Sequence, residues 1–355
     1  MTDNELLLGK TYPPDHPNVD EVITDYAKNN INIVLNLGVG NKNPGDVTRF
    51  RNKETLERYT NYFRYMVGHF KDSVRYFELW NEPVNTSEDY ISLVKYVIPI
   101  IRNEYPDAKI IIGALSGGHV AGYPGYGDSM RFSMDGVYIK RFIGPDLAPI
   151  IDGISWHGLS NNLPNDPYYQ NYPQMIEEIQ AFAASNGFKG EYFLEELSWV
   201  TWDTELVKGN LFSESEALKL YARAIIMNRR LNVNVNVHVN TNGLLEMISN
   251  INTVIAGAKP ANLRFKIESD AKNINSYSFL LPEGDMVVAL WTNGAFNDNP
   301  EKATLTLPGL STYKVVGIDV LYGFEQELAI SADDGSLVID NLLVRDYPIL
   351  LRITR

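Results

Sequence analysis

The chain has 355 residues, 45% of them hydrophobic and 21% charged, the composition of a globular protein long enough for one large domain and a smaller one. A formal net charge of −13 weighs against nucleic acid and anionic membrane surfaces as partners, and the absence of cysteine excludes disulfides, thiolate nucleophiles and cysteine-held metals. No apolar run reaches the roughly 18 residues of a membrane span, and the acidic start Met1-Thr2-Asp3-Asn4-Glu5 has no apolar stretch behind it of the kind a signal peptide needs. These features leave compartment and oligomeric state open.

Residues 1–18 carry turn chemistry, Pro13-Pro14-Asp15 and His16-Pro17-Asn18, and read as a loop. Val19 to Asn29 repeats apolar residues at helical spacing, and Ile31 to Leu37 reads as a strand closed by Gly38-Val39-Gly40. A long amphipathic helix, Glu54 to Phe70, precedes the strand that starts at Val74. The alternation continues with a helix at Tyr90–Glu104 and a strand at Lys109–Ala114. A Gly- and Tyr-rich loop at Gly117–Gly127 then leads to a helical stretch at Val137–Phe142. Next come a strand from Ile150 to Trp156, a helix at Tyr172–Asn186 and a strand at Glu191–Leu194. A helix at Glu214–Leu231, a strand at Val233–Val239 and a last helix at Leu244–Ala258 complete the series. Alternating elements with near-continuous apolar strands predict an α/β fold around a buried parallel sheet, and a polar cluster after each strand favours a (β/α)8 TIM-type barrel.

After Pro260 the grammar changes. Period-two strands are expected at Ser276–Leu281, Met286–Trp291, Ala303–Leu307, Tyr313–Val320, Glu327–Ile330, Ser336–Ile339 and Tyr347–Ile353, separated by turn residues such as Pro282-Glu283-Gly284 and Asn293-Gly294. This predicts a C-terminal all-β sandwich over 263–355, behind a catalytic barrel domain over 1–262.

Two stretches carry chemistry. The first is Val74 to Pro83, an apolar strand that ends in Trp80-Asn81-Glu82-Pro83. A carboxylate behind a buried strand is costly in a core but expected at the carboxyl end of a barrel strand, where active sites lie. The second is Glu191 to Trp199, an apolar strand leading to Glu195-Glu196-Leu197-Ser198-Trp199, with Glu196 placed 114 residues after Glu82. The first stretch resembles the acid/base motif at the end of the fourth strand of clan A glycoside hydrolases, which are retaining barrel enzymes. The second resembles the nucleophile motif of their seventh strand, and the layout is most similar to the family 39 group of β-xylosidases and relatives.

The resemblance implies Glu82 as general acid/base, Glu196 rather than Glu195 as nucleophile, and Asn81 as a contact to the sugar 2-hydroxyl. It makes Trp80, His157, Trp199, Trp202, His238, Asn240 and Asn36 further candidates for substrate binding. Leu159 stands where the family often has a tyrosine, and no tryptophan ends the eighth strand. If the Val74 strand is the fourth, the Ile31 strand is the third, so two strands of an eight-stranded barrel are not found in this chain. An open barrel would leave a sheet edge exposed and favour self-association. The substrate expected is a β-linked oligosaccharide or polysaccharide. No cofactor or metal is expected, since no His-Glu-x-x-His or Gly-x-Ser-x-Gly pattern occurs. The alternative is an inactive barrel that binds carbohydrate without cleaving it.

Overall fold

The computed structural model describes residues 17–38, 53–81, 87–116, 139–140, 143–201, 212–238 and 241–355. Two compact units divide the chain. The first takes the described residues of 1–117, 121–158 and 175–195, and the second those of 159–174 and 196–355.

The first unit is built by alternation. Helix α1 (Pro17–Lys28) precedes β1 (Val34–Asn36), α2 (Lys53–Phe70) precedes β2 (Tyr76–Leu79), and α3 (Ser87–Glu104) precedes β3 (Lys109–Ser116). A 3-10 turn at Ala148–Ile150 leads into β4 (Gly153–His157). Helix α4 (Pro167–Ser185) and strand β5 (Glu191–Leu197) each pass from one unit into the other. Strands β1 to β5 pair in parallel, in the register Asn36, Glu78, Ile111, Gly153, Glu191. Their apolar residues are almost wholly buried, as Phe77, Leu79, Ile110, Ile111, Ile154 and Leu194 show. That is the burial a parallel sheet requires. Helix α2 buries Tyr59, Phe63, Val67 and Phe70 at intervals of three and four, and α3 does the same with Leu93, Val94, Val97 and Ile101. Asp152 binds the amino-terminal ends of β3 and β4 to α3. It accepts from the Ile110 amide at 2.8 Å, from Lys109 Nζ at 3.1 Å and from the Arg102 guanidinium.

Three strands start later than expected, each because a preceding turn claims the residues. Asn30 is left-handed and the Ile31 amide returns to Tyr26 O, so Ile31 closes α1 and is half exposed. The Val74 amide donates to Phe70 O and ends α2, and the 3-10 turn takes Ile150. The Gly117–Gly127 loop and most of the Val137–Phe142 helix lie outside the described residues. Strand β6 (Val233–Val237) follows β5 in the order β1-β2-β3-β4-β5-β6, and within the second unit the His238 amide donates to Leu197 O at 3.0 Å. The six strands expected before residue 240 are therefore present. Strand β1 stands first in that order, and α1 turns Ile23 inward while Val19, Val22 and Tyr26 are exposed.

In the second unit, α5 (Glu214–Arg230) opens on a capping box between Ser213 and Glu216, and α6 (Leu244–Ile255) follows β6. Ten strands come next: β7 (Lys259–Ala261), β8 (Lys266–Ser269), β9 (Ile274–Leu280), β10 (Met286–Thr292), β11 (Glu301–Leu307), β12 (Lys314–Asp319), β13 (Glu325–Glu327), β14 (Ser331–Asp333), β15 (Ser336–Val344) and β16 (Ile349–Thr354). They form a sheet of order β13-β12-β16-β10-β9-β7 and another of order β14-β15-β11-β8. Val288, Leu290, Leu351 and Ile353 from the first sheet share one core with Leu305, Leu307, Leu337 and Ile339 from the second. Strand β7 already pairs with β9, so this two-sheet region begins at Lys259.

Helix α5 is locked onto the sheets by two buried cations. Lys219, 5% exposed, gives hydrogen bonds to Asp346 Oδ2 at 3.0 Å and Asp298 Oδ1 at 2.7 Å. Arg223 is fully buried and donates to the carbonyls of Asp346 at 2.6 Å and Gly294 at 3.2 Å. Asp346 also accepts from the Asn297 amide at 2.9 Å. Asp346→Ala would leave the Lys219 ammonium with Asp298 alone and that amide without its acceptor. We expect it to cost about 3 kcal/mol or more, read as a lowered denaturation midpoint. Asp298→Ala, at a fully exposed carboxylate, should change the midpoint little.

Strand β3 carries a bulge. Its register with β4 shifts between Ile112 and Leu115, with Gly113 at φ +130° and Ala114 at φ +44°. The two amides that leave the ladder are taken by side chains: Gly113 N–H donates to Tyr90 Oη at 3.2 Å, and Ala114 N–H to Ser155 Oγ at 2.7 Å. A Cβ on Gly113 would lie 2.1 Å from Ser155 O. Gly113→Ala should therefore destabilise the protein by about 3 kcal/mol in a denaturant titration. Gly284→Ala, also at positive φ but with nothing within 4 Å of the new Cβ, should cost only about 1 kcal/mol.

Candidate active site

The site is best built from the end of β2. Glu78 lies inside this strand, 2% exposed, between Phe77 and Leu79, which are both fully buried. An ionised carboxylate there is tolerated only with hydrogen-bond donors. Asn36 Nδ2 on β1 donates to Glu78 Oε2 at 2.6 Å, and the hydroxyl of the buried Ser155 on β4 donates to Oε1. Ser155 Oγ in turn accepts the Ala114 amide of the β3 bulge. One hydrogen-bonded row thus crosses β1, β2, β4 and β3.

The strand then breaks. Trp80 is left-handed, φ +75°, which costs a residue with a side chain on the order of 1–2 kcal/mol. The carbonyls on either side of the break are held. Leu79 O accepts from Tyr90 Oη at 2.7 Å, and Trp80 O accepts the second N–H of Asn36 at 3.1 Å. The Trp80 ring packs edge-on to Tyr59, centroids 5.5 Å apart. Asn81 follows and is exposed. Glu82 lies outside the described residues.

Asn36 was expected to face substrate. Both hydrogens of its amide are committed, to Glu78 and Trp80 O, and its Oδ1 accepts the Gly38 amide at 2.8 Å. It has no donor left for a sugar hydroxyl, and its geometry is that of a brace.

Strand β5 carries the second motif. In the first unit, Glu195 is 6% exposed and lies in register with His157, the last residue of β4, itself 5% exposed. Glu196, in the second unit, is half buried and left-handed at φ +53°. Its carbonyl accepts from Ser160 Oγ at 2.9 Å, and Ser160 Oγ accepts the Ser198 amide at 3.1 Å. Asn161 completes the clamp: its amide donates to Ser198 O at 3.0 Å, and its Oδ1 accepts the Val200 amide at 3.1 Å.

Trp199 was expected as a sugar platform, and the structure makes it a core residue. Its ring is fully buried, edge-on to Tyr221 at 5.1 Å, with its indole N–H given to Asn162 O at 2.9 Å. No ring face is left for a ligand. His238, after β6, is exposed, and its carbonyl accepts from Tyr221 Oη at 3.3 Å. Trp202 and Asn240 lie outside the described residues. Glu78 and Ser155 were not singled out from the sequence. The signal was there: Glu78 stands between Phe77 and Leu79, and Ser155 between Ile154 and Trp156, each a polar residue between apolar ones in a strand. Among the described residues, no cluster of three or more His, Asp and Glu side chains could hold a metal ion.

No family model matches the chain, and no curated protein matches it in sequence. Solved structures do share its fold. A family 39 glycoside hydrolase from the gut symbiont Bacteroides cellulosilyticus WH2 superposes with a TM-score of 0.67 at 16% identity, over 98% of this chain and 72% of that one. A family 44 endoglucanase produced by Clostridium acetobutylium ATCC 824 gives 0.58 at 11% identity, over 94% and 83%. A family 51 α-L-arabinofuranosidase from Bifidobacterium longum gives 0.54 at 10%, over 95% and 79%. The strand–helix alternation with its appended antiparallel sheets is therefore a fold that this chain has in common with glycoside hydrolases of several families.

Proposed function

We propose that the chain is a retaining clan A glycoside hydrolase with a family 39-like layout, acting on a β-linked oligosaccharide or polysaccharide. The observation that carries this reading is the position of the two motifs along the fold. Glu82 comes three residues after the last residue of β2, and Glu196 is the next-to-last residue of β5. These strands run parallel in one sheet, and barrel enzymes keep their chemistry at that end of the strands. Likeness to the fold of glycoside hydrolases supports it, although fold alone does not name a reaction.

In this reading Glu82 protonates the glycosidic oxygen while the Glu196 carboxylate attacks the anomeric carbon from the opposite face. The C–O bond breaks, the leaving sugar departs as an alcohol, and a glycosyl ester forms on Glu196. Glu82, now a carboxylate, takes a proton from water, whose oxygen attacks the same carbon and frees Glu196. Two inversions give net retention, which needs the two carboxyl groups about 5–5.5 Å apart. Asn81 would meet the 2-hydroxyl. Trp80, His157, Trp202, His238 and Asn240 are the remaining sugar contacts proposed, and residues 263–355 an accessory sandwich behind a catalytic domain of 1–262.

Aryl β-glycosides of xylose, glucose and arabinose test the activity directly. Glu196→Ala should abolish turnover, and Glu82→Ala should lower it by about 10²–10⁴-fold on substrates with poor leaving groups. Azide separates the roles. It should displace the leaving group in one step in Glu196→Ala, giving a glycosyl azide of inverted configuration. In Glu82→Ala it should intercept the ester and give a retained one. Full activity in Glu196→Gln would sink the assignment. Oligosaccharide binding without turnover would make the chain a carbohydrate-binding protein instead.

A further inference from the structure

We infer that Glu78 is a positioning residue for the acid/base segment, acting through Asn36 on the peptide that joins Trp80 to Asn81. The inference rests on the reading of Glu82 as the general acid. Glu78 contributes nothing to packing that an apolar residue would not do better, because its strand neighbours and the facing residues of β3 are fully buried aliphatic and aromatic groups. What its carboxylate does is accept. Oε2 takes one hydrogen of the Asn36 amide at 2.6 Å, and Oε1 takes the Ser155 hydroxyl. A planar amide fixed at one hydrogen by Glu78 and at its oxygen by the Gly38 amide has its second hydrogen aimed by geometry alone. That hydrogen meets Trp80 O at 3.1 Å.

The carbonyl it meets is the critical one. Trp80 holds a left-handed conformation that a residue with a side chain leaves unless its surroundings hold it there. Tyr90 secures the carbonyl before Trp80, and Asn36 secures the carbonyl after it. Only the second lies on the Glu82 side of the break. Ser155 anchors the other end of the chain of bonds to the β3 bulge through the Ala114 amide, so Glu78 cannot follow Asn36 if Asn36 shifts. The direction of the Trp80–Asn81 peptide, two residues before Glu82, thus depends on a buried carboxylate one strand away from the residue that touches it.

Glu78→Met tests this, since it nearly keeps the volume and removes both acceptors. A misaimed acid/base slows the glycosylation step only where the leaving group needs a proton, and slows hydrolysis of the ester for every substrate. We expect kcat/KM, which reports glycosylation, to fall on the order of 10²-fold for a glycoside with an alkyl or sugar leaving group. For a 2,4-dinitrophenyl glycoside, whose leaving group departs without a proton, kcat/KM should stay near wild type, while kcat falls and added azide, which needs no base, restores it. Asn36→Ala should show the same split, and the double variant should be no worse than Asn36→Ala alone. Equal losses of kcat/KM on both substrates, no loss, or additive losses would overturn the inference. If the wild-type protein cleaves neither substrate, the proposed function fails, and crystal structures of the two variants then decide the positioning role alone. A reoriented Trp80–Asn81 peptide supports it, and an unchanged φ at Trp80 overturns it.

Discussion

A parallel sheet buried on both faces has no water to offer a polar group, so any such group within it must be satisfied by the neighbouring strands. The row that runs from Asn36 through Glu78 and Ser155 to the Ala114 amide meets this constraint across four strands. Removing one member leaves another unsatisfied, and for that reason the row is rigid. Its members are not spread along the strands. They lie at the end of β2 and at the bulge of β3, where the backbone must depart from regular pairing. The polar groups thus sit where the ladder itself gives out.

Strands β2 and β5 each have a left-handed residue with a side chain at the carboxyl end, Trp80 directly after β2 and Glu196 next to last in β5. Each is held by hydrogen bonds to its own carbonyl, from Asn36 in one case and Ser160 in the other. Such a conformation persists only where the surroundings impose it. Regular alternation would send the Glu195 and Glu196 side chains to opposite faces, and Glu195 is buried in register with His157 while Glu196 remains partly open. A nucleophile has to reach a substrate that arrives from solvent, and of the two only Glu196 has that exposure.

Periodicity made the elements legible, because strand and helix bury residues at different intervals. All six strands of the parallel sheet and every helix from Glu54 onward that the structure describes stand within a few residues of where the pattern puts them. Errors fall where a local hydrogen bond outranks hydrophobicity. Ile31 and Val74 are apolar enough for strands, yet their amides close the preceding helices. Strands β8 and β14 escaped notice because Lys266-Ile267-Glu268-Ser269 and Ser331-Ala332-Asp333 stand at the two ends of their sheet, half exposed or wholly so, and need little apolar surface. In the site, motif matching marks Glu82 and Glu196 but says nothing of direction. Trp199 looked like a platform because of its distance along the chain from Glu196. Only packing reveals that its ring is closed in against Tyr221. Asn36 was marked as a sugar contact, and its partners could not be read from sequence, since Glu78 is 42 residues away.

Helix α5 shows why the domain boundary is harder to read than the elements. Its sequence, with apolar residues at helical spacing, is indistinguishable from the helices that cover a parallel sheet. Two positions on its buried side nevertheless carry Lys219 and Arg223, which no apolar partner can satisfy. Their acceptors come from Asp346 and Gly294, more than 70 residues downstream, beside strands of the two-sheet region. Asp346 and Tyr347 are both engaged. The Asp346 side chain takes Lys219 and its carbonyl takes Arg223, while the Tyr347 hydroxyl bonds Asp319 Oδ2 at 2.8 Å. A composition shift near Pro260 marks where the strand grammar changes. The energetic seam follows the buried charges instead, and these fasten α5 to the antiparallel sheets as one compact unit.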